Sequence, residues 1–137
     1  MPHDPARVAD TRPWLLKADE DLRAGANQLS ASPPYLSDVV FHAQQACEKA
    51  MKGFLAWHDQ PFGKTHNLVE LGQACASVAP ELEVVLRRAG PLTEYAWRFR
   101  YPGEPEGPQL EEATLALATA REVRDAIAAR LPLEVRA

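Results

Sequence analysis

The chain has 137 residues, 46% of them hydrophobic and 25% charged, with a formal net charge of -4. That is the size and balance of one globular domain, which excludes a disordered or fibrous chain. An acidic balance without a Lys/Arg cluster makes a poor general binder of nucleic acid through phosphate neutralisation, and leaves room for a local basic site that reads one nucleotide.

Taken in chain order, residues 1–12 read as a loose N-terminal tail. The stretch carries Pro2, Asp4, Pro5 and Asp10 and no apolar run, so it is not a signal peptide. Proline then divides the chain, because it breaks or kinks a helix interior. The windows between prolines show helical spacing and no sustained period of two. Over 14–32, Leu15, Ala18, Leu22, Ala26 and Leu29 share a face, with Pro13 fitting the first turn. Over 35–60, Leu36, Val40, Ala43, Cys47, Ala50, Phe54 and Trp57 repeat in alternating steps of four and three, a seam suited to a bundle. Over 62–79, Leu68, Leu71, Cys75 and Val78 form the stripe and Thr65 is a plausible N-cap. Two short helices are expected at 81–89 and 92–100, and the proline- and glycine-rich 101–108 reads as a loop. The last helix places Leu110, Ala113, Leu117, Ala120, Ile127 and Leu131 on one face, interrupted by Arg124. Residues 132–137 are expected as a C-terminal tail.

These windows predict an all-α fold: an up-and-down bundle of four long helices plus one or two short ones, forming one domain over 13–131. No stretch approaches the ~18 apolar residues of a membrane span. Cys47 and Cys75 lie on apolar stripes and read as buried thiols. A cytoplasmic protein is expected. The second helix also carries Phe41, Gln44, Glu48, Met51 and Leu55 on another side, a mixed face that reads as a dimer interface unless a loop or the short helices cover it.

The search for chemistry is mostly negative. Gly63-Lys64-Thr65 lacks the upstream glycine and strand of a phosphate-binding loop. His3, His42, His58 and His66 have no metal-ligand spacing, and no cofactor is implied. Two groups stand out. Along the second helix, His42, Gln45, Lys49 and Lys52 fall within one polar face. Further on, Tyr95, Trp97, Arg98, Arg100 and Tyr101 combine guanidinium groups, which grip phosphate, with rings that stack on a base.

The run Gln44-Gln45-Ala46-Cys47-Glu48-Lys49-Ala50-Met51-Lys52 resembles the second-helix signature of the HEPN family. Lys64-Thr65-His66-Asn67-Leu68 is similar to that family's Thr-His-x-Leu helix start, and Arg100-Tyr101-Pro102 to its Arg-Tyr-Pro run. Trp14 and Asp21-Leu22 fit as well, so the resemblance covers about residues 14–130. It implies a bundle of four or five helices that usually dimerises and often accompanies a minimal nucleotidyltransferase, in a toxin–antitoxin-like context, with nucleotide or RNA binding as its theme. Gln45, Lys49, Lys52, His66, Arg98, Arg100 and Tyr101 are the candidate nucleotide-binding residues. Many members are ribonuclease toxins that use an Arg-x(4–6)-His motif, the histidine serving as acid or base. Here no histidine follows His66, so neither Arg98 nor Arg100 can complete that motif, and no catalytic residue is assigned. The expected function is therefore a non-catalytic binding module. An atypical ribonuclease using His66 or His42, and a plain helical scaffold, are the alternatives.

Overall fold

The computed structural model describes residues 2–103 and 106–136, and among these the chain is helical without strands. Helix α1 spans Pro5–Ser30, α2 Leu36–Trp57 and α3 Leu68–Val78. A 3-10 turn at Pro80–Leu82 leads into the short α4, Glu83–Arg87, and further 3-10 turns follow over Gly90–Ala96. Helix α5 spans Leu110–Ala128 and the one-turn α6 Leu133–Arg136.

Helix α2 is the axis of the molecule. The whole predicted seam from Val40 to Trp57 is buried on it, Val40, Ala43, Cys47 and Ala50 completely. Burying each large apolar side chain there contributes about 1.5–3 kcal/mol. Helix α1 runs antiparallel to α2, so that Gln28 stands by Tyr35 while Arg7 reaches Trp57. The pair packs tightly around Gly53, where an added Cβ would stand 2.7 Å from Leu15 Cδ2 and 2.9 Å from Trp14 Cβ. Helix α5 lies against both, with Leu117 beside Gly25 of α1. Arg124 interrupts the α5 stripe because it is a tie: Nε and Nη2 reach the two Asp19 carboxylate oxygens at 2.7 and 3.1 Å.

Several expectations are corrected. The segment expected as a tail is helical from Pro5, and Pro13 sits inside α1, not in its first turn. Asp4 caps the helix by accepting from the Ala6 amide, and Pro5 occupies its first turn. The Arg7 guanidinium lies 3.9 Å from the centre of the Trp57 ring, and Val8 packs on the core. These contacts hold the turns upstream of Pro13, which is itself exposed. The C-terminal tail is likewise anchored, by the buried Val135 and by Arg136 Nε donating to the Leu131 carbonyl. The third of the expected long helices, α3, has only 11 residues. It starts late because Asn67, not Thr65, is its cap, accepting from the Val69 and Glu70 amides. The short helix expected over 92–100 is a run of 3-10 turns that ends at Ala96. Leu110 begins α5 half-exposed, not in the stripe. Of the expected loop 101–108, residues 104 and 105 lie outside the described residues. No helix among the described residues is long and apolar enough to cross a membrane.

Candidate functional site

Two buried carboxylates organise the polar face of α2. Asp21 of α1 accepts from His42 Nδ1 at 2.8 Å and from Lys49 Nζ at 2.6 Å. Burial, the largest single influence, would raise its carboxyl. The hydrogen bonds and positive charge of these two partners outweigh that and hold it below the usual range. Glu48 is only 5% exposed. It accepts from His66 Nδ1 at 2.6 Å, Lys52 Nζ at 3.0 Å and Gln44 Nε2 at 3.2 Å. Its carboxyl too is lowered, burial opposing and these three partners prevailing. Gln44 also donates to the His66 carbonyl at 3.1 Å, and Gln45 donates to Gln44 Oε1 at 2.7 Å. Lys52 is buried, with Trp14 and Phe62 ring centres 5.9 and 5.8 Å from its ammonium.

This network ties α1 to α2, and α2 to the entry of α3. Four of the residues expected at a dimer interface, Gln44, Glu48, Met51 and Leu55, are thus buried inside the chain. Helix α3 covers the face: Cys75 Sγ bonds the Met51 carbonyl at 3.5 Å, and Gly72 approaches the Met51 methyl. Phe41 is half-buried with the Arg100 guanidinium 4.0 Å from its ring centre. The expectation of a free interface face on α2 is corrected accordingly. Of the candidate ligand residues, Lys49 and Lys52 are engaged with the two carboxylates, and Gln45 with Gln44. His66 keeps a side chain 59% exposed while its Nδ1 is held by Glu48.

The segment after the 3-10 turns builds a different surface. Tyr95 turns inward and donates its hydroxyl to Glu112, and burial together with that carboxylate raises its pKa. Phe99 takes a left-handed conformation, φ 68°, and stacks 6.2 Å from Tyr95. Trp97 and Tyr101 stay outside, 57% and 73% exposed. They line a groove of 430 Å³ with Glu94, Arg98, Pro102 and Gly103. Arg98 Nη1 meets Glu94 Oε1 at 2.6 Å. Arg98 and Tyr101 are therefore brought together, while Arg100 sits apart on Phe41 and the α2 candidates belong to the internal network. Sequence reading missed Glu94, and it named Asp21 within the family resemblance without giving it a role. An i, i+4 acid–base spacing marks the first, and an acid beside the α1 stripe marks the second.

A further groove of 410 Å³ lies between α3 and α4, lined by Leu68, Val69, Gly72, Ala76, Leu86 and Gly90 among others. Among the described residues, no group of three or more His, Cys, Asp or Glu could hold a metal ion. Cys47 and Cys75 are buried free thiols, both pushed up to about 12 by burial.

No curated protein and no solved structure gives a significant match to this chain. A family model does, over residues 11–131, a span running from the buried Thr11 of α1 through the Arg-Tyr-Pro run to the end of α5. Most of the sequence is matched, and the matched span contains both the α2 network and the aromatic groove: the chain belongs to the HEPN-domain family.

Proposed function

We propose that this HEPN domain is a non-catalytic binding module that takes a nucleotide in the groove of Trp97, Arg98 and Tyr101, acts as a homodimer and serves a partner nucleotidyltransferase. The single observation that carries the reading is the groove itself, where two largely exposed rings stand beside a guanidinium. Large aromatic side chains left in water beside a cation suit a ligand with a flat base and an anionic phosphate. The Arg98–Glu94 pair is partly exposed, and such pairs are worth only about 0–1 kcal/mol. Dimerisation and the nucleotidyltransferase partner rest on the habits of the family.

The test is thermal unfolding in the presence of purine and pyrimidine nucleotides. Ligand at 100 times its Kd adds about 2.7 kcal/mol to stability, a rise of several degrees in a domain of this size. The rise should vanish in Trp97→Ala and Arg98→Ala. If no nucleotide shifts the transition, the reading fails. Gel filtration with light scattering tests the dimer.

One observation favours a second reading, that of an atypical ribonuclease: His66 is oriented through Nδ1 by a buried carboxylate while its ring remains exposed, an arrangement that suits proton transfer. RNA left intact by the purified protein, at any pH from 5 to 9, would exclude it.

A further inference from the structure

Glu94 is unused by the reading above, yet it lines the groove that holds Trp97 and Tyr101. Its carboxylate pairs with Arg98, Nη1 standing 2.6 Å from Oε1. An ionised carboxylate only accepts hydrogen bonds, and its two oxygens offer about four lone-pair sites. One taken by Arg98 leaves room for two parallel bonds from a ligand.

The common bases differ in what they can offer such a group. Guanine presents two adjacent donors, its ring N–H and its exocyclic amino group, on its Watson–Crick edge. Adenine and cytosine each set one amino donor beside a ring acceptor, which a carboxylate repels. Uracil has a single donor between two carbonyls. Only guanine matches both oxygens of a carboxylate at once. We infer that the groove selects guanine, with Glu94 reading the base edge and Arg98 positioning that carboxylate, while Trp97 and Tyr101 supply the stacking surface.

This rests on the nucleotide-binding reading and adds the identity of the base to it. GMP and AMP carry the same phosphate, so the difference between them isolates the base edge. The experiment is titration calorimetry of the full chain with each nucleotide, repeated with Glu94→Gln. A pair of charge-assisted hydrogen bonds predicts GMP binding roughly 10- to 100-fold tighter than AMP. In Glu94→Gln one oxygen becomes an NH₂ group that faces a guanine donor, so the preference should collapse while AMP binding changes little. Glu94 is partly exposed, and circular dichroism confirms that the variant folds. Equal affinity for GMP and AMP overturns the guanine inference and leaves nucleotide binding standing. A guanine preference that survives in Glu94→Gln overturns the assignment to Glu94. If neither nucleotide binds, both the inference and the reading beneath it fall.

Discussion

A Glu48→Leu substitution removes the one acceptor shared by Lys52, His66 and Gln44. Leucine fills much of the same space, so the cost comes from what is left behind. Lys52 is only 6% exposed, and among the described residues Glu48 is the carboxylate its ammonium pairs with, at 3.0 Å. Breaking a buried pair from one side costs about 3–5 kcal/mol. The Trp14 and Phe62 rings near the ammonium are there before and after the substitution, so they cancel and the loss stays at about 3–5 kcal/mol. In a domain of this length that lowers Tm by roughly 10 °C or more. Lys52→Met should cost less, about 1–2 kcal/mol, because Glu48 keeps His66 and Gln44 as partners. The double variant should lie near Lys52→Met alone, giving a coupling of at least ~1.5 kcal/mol between the two sites. Urea unfolding of the four proteins measures all of this. If Glu48→Leu costs under ~1 kcal/mol, or the two losses add within ~0.5 kcal/mol, the network is not what joins α2 to the start of α3.

Acid should act through the same groups. The Asp21 and Glu48 carboxyls are both lowered in the folded chain. Their stabilisation is complete above the unfolded carboxylate values near pH ~4 and is lost as pH falls through the folded values. Tm followed from pH 6 to 2 should drop below about pH 4, and a flat profile to pH 3 contradicts this. Gly53→Ala should destabilise by about 1–3 kcal/mol, since the new methyl meets Leu15 and Trp14 within 3 Å. Gly63→Ala, with nothing within 4 Å, should be close to neutral, and equal effects in denaturant titration would refute the contrast. Cys47 and Cys75, pushed up to about 12 by burial, should resist a thiol reagent at pH 8 until the protein unfolds. Modification within seconds in native buffer would show that they are reached from solvent.

The helical class, the α2 seam and the family were legible because each depends on local spacing. What was not legible depends on partners distant along the chain. Lys49 looks like a solvated charge on its own helix, yet its partner Asp21 lies 28 residues away. Met51 and Leu55 are apolar by inspection, but sequence shows only that they need cover, not that α3 supplies it. Pro13 reads as a start because proline usually limits a helix. The contacts of Arg7 and Val8 that keep the earlier turns in place carry no local signature. Trp97 and Tyr101 of the named cluster line one groove, but Arg100 lies apart on Phe41, beyond a left-handed turn at Phe99, a conformation uncommon outside glycine.

The anchored N-terminus has one more consequence. His3 bonds Glu134 at 2.9 Å and packs edge-on against Trp57, so the first and last helical turns share one corner of the bundle. About 24 Å of helix separates Trp57 from Phe41, where Arg100 rests. A circular permutant that links these two turns with a few glycines and opens the chain at Gly103 would keep every long helix intact. Its new termini would emerge beside Trp97 and Tyr101, turning the groove from a side wall into the tip of the molecule.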